Sequence, residues 1–397
     1  MGDDMSAPYS YTFADLVTDR DLVELDLSDV VFDRRICQAG AFKATAHVTN
    51  RATADHVAKV IPRGVGDLSR GPGRTVVHID RGGDLWGTYI IWRGDPQGDE
   101  RGRITVPLQG ASLESYPAHR EIRRDLVYAG VGDRDICRDL VADMEAHGSI
   151  GLDVPAGPPG MPRDRTYRAS EAATYGERLD QLAEVIDGPE WMIRTWRDAQ
   201  GVRHREFVAA GRLGQDATDH HFAQPGNIMS WSYPADATDV ATSYQTRGDT
   251  PNDDLSAESE PLLSGIWEDP RYRAAGWPLL ERTVDYQGVT DVSTLDAYAR
   301  WWAERRSGML RIPQVEVRLD ESTSFSPNRL GDSAALTLVN DWFPLNNGRP
   351  TFAHRWRIVG VEVIPVSRSS GQERARLIFE EPTGHPATTT TTAEMRG

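Results

Sequence analysis

Short strand patterns bracket this chain in two blocks, from about residue 36 to 110 and from about residue 312 to 381. That arrangement limits it to a strand-rich fold built from small units. Before the first block, residues 20–27 alternate apolar and polar at period two, which gives a strand one apolar face. Residues 37–48, 75–79, 85–92 and 103–108 continue the series. Asp80-Arg81-Gly82-Gly83-Asp84 supplies a hairpin turn, because glycine accepts the positive φ such turns need. The second block predicts strands over 314–319, 334–339, 355–365 and 374–380. Strands this short, with tight turns, predict a small antiparallel β-barrel in each block.

The middle has a different period. Residues Ile136, Cys137, Leu140, Val141 and Met144 lie on one helical face, with Asp133 placed to cap it. Thr174 with Glu177 makes a capping box ahead of Leu179, Leu182, Ala183 and Ile186. A hairpin over 191–196 and 204–209 follows, turning at Gly201. A further helix starts at Ser293-Thr294-Leu295-Asp296 and carries Tyr298 and Trp302. Residues 246–282 are polar, broken by proline, and read as an excursion loop.

The predicted class is mainly β with α+β insertions: two small antiparallel β-barrels plus a small α/β domain. The expected domains are 1–125 (first barrel), 126–225 (α/β), 226–310 (extended strands, polar loop and helix), 311–382 (second barrel) and 383–397 (a flexible Thr-rich tail). No sequence repeat relates the two barrels.

The net charge of −16 argues against nucleic-acid holding, which draws its affinity from Lys and Arg neutralising phosphates. Like-charge repulsion lets DNA pass without adhering. Cys37 and Cys137 are the only cysteines and read as core thiols of a reducing compartment. No apolar run approaches the ~20 residues of a membrane span, so no membrane insertion is expected.

Candidate chemical motifs each have a plainer reading. Arg247-Gly248-Asp249 matches an adhesion triplet, but three residues specify little beyond a turn. His220-His221 are adjacent and do not face one metal. Gly64-Val65-Gly66 and Gly71-Pro72-Gly73 lack the Lys-Ser/Thr pair of a phosphate loop. Cys137 sits on an apolar helix face, as a buried thiol does, not a nucleophile. Trp86, Tyr89, Trp92 and Tyr116 suit a core and an interface better than a sugar platform. No catalytic, cofactor-binding or metal-binding residue is assigned.

The ordered segments resemble a family. Cys37-Gln38-Ala39-Gly40-Ala41-Phe42, then Val76-Val77-His78-Ile79-Asp80-Arg81-Gly82-Gly83 and Gly87-Thr88-Tyr89-Ile90-Ile91-Trp92 look like the first barrel of siphophage tail-hub (baseplate hub, minor tail) proteins. Gln109 to Tyr116, Arg123 to Tyr128, Pro225 to Ile228, Leu330-Gly331-Asp332 and Trp356 to Val363 fit the same pattern, over residues 20–381. Trp356, where the pattern has Tyr, and the polar 246–282 stretch depart from it. The resemblance implies a non-enzymatic structural protein of the virion tail tip, made in the host cytoplasm. It would be a homotrimer whose six barrels surround the DNA channel, without cofactors. It would join the sixfold tail tube and distal tail proteins to threefold tip or fibre proteins. The alternative is a tail-associated cell-wall or polysaccharide hydrolase; a carbohydrate-binding module is a third reading.

Overall fold

A computed structural model describes residues 8–380 except 186, 217, 239, 251–259, 287–288, 309–311, 320–324 and 367–371. Ile186 and the Thr-rich tail lie outside the described residues. The fold is mainly β. Of the described residues, those from 8 to 231 and from 315 to 379 make one compact unit, and those from 232 to 314 belong to another.

The two strand blocks do not stand as separate barrels. Fourteen of the described strands share one sheet, joined where Gly360–Val363 pairs antiparallel with Phe32–Arg35. Among the described residues, hydrogen-bonded ladders close neither block; each instead turns back on itself through covalent continuity. In the first set the path runs Leu27–Arg35, Ala41–Val48, Ile104–Ser112, Asp84–Gly94, Thr75–Arg81, Tyr9–Asp15 and ends at Asp21–Glu24. Only Leu25 and Asp26 separate that last strand from the first. In the second set the path runs Ile228–Ser232, Gln314–Arg318, Arg374–Phe379, Phe352–Ile364, Ser333–Leu338 and His221–Gln224. Here Pro225, Gly226 and Asn227 link the two ends.

The two sets share one topology. The bent strand 21–35 corresponds to 221–232, Ala41–Val48 to Gln314–Arg318, Thr75–Arg81 to Ser333–Leu338, Asp84–Gly94 to Phe352–Ile364, and Ile104–Ser112 to Arg374–Phe379. Tyr9–Asp15 has no counterpart among the described strands. In the first set it pairs antiparallel with both Asp21–Glu24 and Thr75–Arg81. Without such a strand, the second set pairs His221–Gln224 directly and in parallel with Ser333–Leu338. Removing one antiparallel strand from a sheet leaves its neighbours parallel, so this exception supports the correspondence.

The match extends to single residues. The ladder Thr75–Arg81 with Asp84–Gly94 ends at Val76 opposite Ile90, and a bulge follows at Trp92 in the pairing with Ile104–Ser112. The ladder Ser333–Leu338 with Phe352–Ile364 ends at Ser333 opposite Arg357, and a bulge follows at Val359. Ile91 thus corresponds to Ile358, and each carbonyl accepts a backbone bond, from Gly73 N–H and Gly331 N–H, both at 2.7 Å. Opposite Ile91 stands Gly110, where a Cβ would fall 2.5 Å from the Ile90 oxygen. A bulge brings backbones together, and only glycine fits.

Between the sets, helix Asp133–Ala146 and helix Tyr175–Ala183 pack with the hairpin Glu190–Arg197/Arg203–Ala210. The predicted helical face is fully buried: Ile136, Cys137, Leu140, Val141 and Met144 are all 0% exposed. The Thr174–Glu177 capping box is present in both directions. Asp133 is not a cap. Gly132 occupies that position, pressed by Pro159, and the Asp133 carboxylate accepts instead from Met161 N–H at 3.1 Å.

The second unit replaces the expected excursion loop. Trp267–Glu268, Ser243–Arg247 and Glu281–Asp285 form a three-stranded sheet, with the short helix Pro270–Ala274 between two of them. Helix Val292–Arg306 lies against it, capped by Asp291, which accepts from Thr294 N–H at 2.8 Å. Tyr244 stacks on Trp302 and Tyr286 on Tyr298. Helix Val292–Arg306 buries a narrow aliphatic stripe of Leu295, Ala299 and Ala303, and the half-buried Trp302 flanks it.

Candidate assembly surface

The chemical candidates resolve into structural roles. Trp86 and Tyr89 are core residues, 4% and 0% exposed. Trp92 donates to Ser115 Oγ at 3.0 Å and packs on His119. His220 and His221 face different ways: His220 is buried against Asp332 at 3.1 Å, and His221 is exposed beside Thr337. Arg247 is held by two bonds to Asp285, 2.6 and 2.8 Å, and its strand continues into Gly248, whose N–H meets the Leu262 carbonyl. Burial pushes the Cys37 thiol up to about 12, and raises Cys137 further. Cys137 is buried and Cys37 half-buried. Gly64 and Gly66 lie in the connection between helix Arg51–Val57 and strand Thr75–Arg81.

A shallow depression of about 380 Å³ is lined by Arg124, Asp139, Ala142, Asp143, Ala146 and His147. Its carboxylates are committed. Asp143 takes Arg124 and the Tyr175 hydroxyl (2.7 Å), while Asp139 accepts from the Tyr128 hydroxyl at 2.6 Å. Burial raises the Asp143 pKa, but those donors outweigh it and hold the group below its ordinary value. Among the described residues, no group of three or more His, Cys, Asp or Glu is placed to hold a metal, and no helix is long and apolar enough to cross a membrane.

What the fold does build with care is the junction between its two strand sets. Gly360 pairs with Arg35, Val361 with Arg34, Glu362 with Asp33 and Val363 with Phe32. Buried ions brace it. Arg34, 2% exposed, donates to the Ile193 carbonyl at 2.7 Å, to Asn328 Oδ1 at 3.2 Å and to Glu114 at 3.3 Å. Glu114 in turn accepts from Ile193 N–H at 2.9 Å. Asn328 donates to the carbonyls of Leu85 and Thr195, at 2.8 and 3.0 Å. Arg81 clamps Glu373, and the Tyr9 hydroxyl donates to the same carboxylate. Burial first, then the Glu373 charge, raises the Tyr9 pKa well above a free phenol's. Arg357 reaches Glu190 at 2.8 Å and the Leu213 carbonyl at 2.8 Å. Breaking any such buried pair strands a charge in low dielectric, so these contacts hold the relative geometry of the sets. The charged residues carry no local sequence signal, since their partners lie up to 364 positions away.

No family model matches the sequence, and neither does any curated protein. Solved structures do match. A tail protein from Neisseria meningitidis superposes with a TM-score of 0.56 at 13% identity, over 94% of this chain and 97% of that one. The chain has the fold of phage tail proteins. The 43 kDa tail protein of prophage MuSo2 from Shewanella oneidensis gives 0.57 at 10% identity, over 94% and 98%. Prophage tail protein gp18 from Listeria monocytogenes gives 0.50 at 11%, over 93% and 94%. Each of these alignments spans more than nine-tenths of both chains.

Proposed function

We propose that the protein is a structural tail-hub component of a phage tail tip: a homotrimer whose six strand sets form a ring around the DNA channel. The observation that carries this reading is the duplicated topology. Two like sets stand side by side, and Phe352–Ile364 runs in the same direction as its counterpart Asp84–Gly94, both antiparallel to Leu27–Arg35. Three chains so built present six similar units, which answers a sixfold tail tube on one side and threefold tip or fibre proteins on the other. The net charge of −16 supports a channel wall that DNA passes without adhering. The role is non-enzymatic, located at the virion tail tip, and follows synthesis in the host cytoplasm.

The test is the mass of the purified protein in solution with negative-stain class averages. A trimeric ring of six lobes with a central hole is the expected result. A monomer that clears a cell-wall zymogram would replace this reading with the hydrolase.

A further inference from the structure

The second strand set carries an arm that the first lacks. Thr75–Arg81 returns to Asp84–Gly94 through Gly82-Gly83 alone, whereas Ser333–Leu338 reaches Phe352–Ile364 through residues 339–351. The base of this arm is clamped. Phe343 packs on Phe352 and on Trp231, with ring centroids 4.8 and 5.2 Å apart. The Asn340 carboxamide oxygen accepts from the N–H groups of Trp342 and Phe343, both at 3.0 Å, and the Thr351 hydroxyl donates to the Pro344 carbonyl at 2.7 Å. Beyond the clamp, Leu345–Asn346 pairs with Arg349–Pro350 across the turn Asn347-Gly348. Pro350 has no N–H to give that short ladder. Asn347 and Gly348 have φ of +50° and +77°, the left-handed pair of a two-residue hairpin turn. Both are exposed, and a Cβ built on Gly348 would meet nothing within 4 Å. Asn347 is the only asparagine in the chain that a glycine follows. Asn50, Asn227, Asn328 and Asn340 each use the side chain to hold backbone, while among the described residues the Asn347 side chain makes no hydrogen bond.

We infer that Asn347 is a modification site, where the folded protein deamidates itself. The Gly348 backbone nitrogen loses its proton and attacks the Asn347 Cγ. The new N–C bond closes a cyclic imide, the carboxamide C–N bond breaks, and ammonia leaves. Water then opens the imide at either carbonyl and leaves aspartate or isoaspartate at 347. Water is the only co-reactant. Glycine favours the attack because it has no Cβ to crowd the approaching carbon. The closed turn must first open, since ring closure needs a different ψ at Asn347. An exposed ladder of two residue pairs opens locally at little cost, while the clamp below keeps the rest of the arm in place. The product adds a negative charge to an arm that presents Trp342 and Leu345 to solvent, at 78% and 53% exposure. The inference is independent of the ring reading, because every group it uses lies in one chain.

The test is incubation of the purified full-length protein at mildly alkaline pH, followed by peptide mapping with mass spectrometry and enzymatic methylation of isoaspartate. A synthetic peptide of residues 343–351 in the same buffer gives the unrestrained rate. The folded chain is expected to convert Asn347 within about tenfold of the peptide rate, since the tip opens locally. Asn227, Asn328 and Asn340 should stay unconverted over the same period. Asn347→Gln, whose longer side chain closes the ring far less readily, should lose the isoaspartate signal, with matching circular dichroism to show that it folds. A folded chain that converts Asn347 more slowly than this overturns the inference, because the turn then locks the nitrogen away from Cγ. Isoaspartate of equal amount in Asn347→Gln also overturns it, because the signal then comes from another residue.

Discussion

Arg81 holds Glu373 by two hydrogen bonds, 2.6 and 2.9 Å, across 292 residues of sequence, and both side chains are buried. Arg81 also lies 4.6 Å over the Trp86 ring. The pair ties the hairpin of the first strand set to the entry of the last strand of the second.

Glu373→Ala leaves the Arg81 guanidinium buried without its carboxylate and should cost about 3–5 kcal/mol. Glu373→Leu with Arg81→Met, which removes both charges at similar volume, should cost much less. Urea denaturation of the two single variants and the double variant checks this; equal and additive losses would show the pair to be uncoupled.

Gly110→Ala forces a Cβ to within 2.5 Å of the Ile90 oxygen at the bulge, and backbone cannot yield as a side chain would. Overpacking of this kind costs roughly 1–3 kcal/mol. A thermal melt should drop by several degrees, while Gly64→Ala, where nothing lies within 4 Å, should leave the melt near wild type.

His78 and His220 are 1% and 2% exposed, and burial chiefly depresses both pKa values below the ordinary histidine range. Asp19 bonds His78 and Asp332 bonds His220, and both pull the other way, while Arg203 and Arg329 reinforce the depression. The unfolded chain therefore binds protons at a pH where the native one does not, and stability falls as pH drops below about 6.5. Unfolding free energy measured from pH 8 to 5 should decline through that window, and less steeply in His78→Gln.

Trp191 is 2% exposed and packs on Phe207, whereas Trp342 is 78% exposed. Trp191→Ala should cost about 3–5 kcal/mol. Trp342→Ala should stay within about 0.5 kcal/mol. Parallel denaturation curves read both.

Local physics made several elements legible in the linear chain. The Thr174–Glu177 box, the apolar face from Ile136 to Met144, and the positive-φ turn at Gly82-Gly83 each depend on residues within a few positions. Alternation marked most strands of both sets for the same reason. The short strand His221–Gln224 escaped, because four residues ahead of Pro225 and Gly226 carry too little pattern, while Ile228–Ser232 falls where extended strands are expected. The small unit from Ser232 to Gln314 reads as a loop for part of its length because its strands, Ser243–Arg247, Trp267–Glu268 and Glu281–Asp285, are too short to carry a pattern.

The sequence alone determined a mainly β chain with strand blocks at both ends and a helical middle, since periodicity and capping are written in neighbouring residues. It did not determine that Gly360–Val363 meets Phe32–Arg35, that Arg34 is buried against Glu114 and the Ile193 carbonyl, or that the two sets share a topology. Those relations belong to tertiary structure. Strand pairing is chosen by which edges and charges find partners once distant segments are brought together, and a pairing across hundreds of residues leaves no local trace.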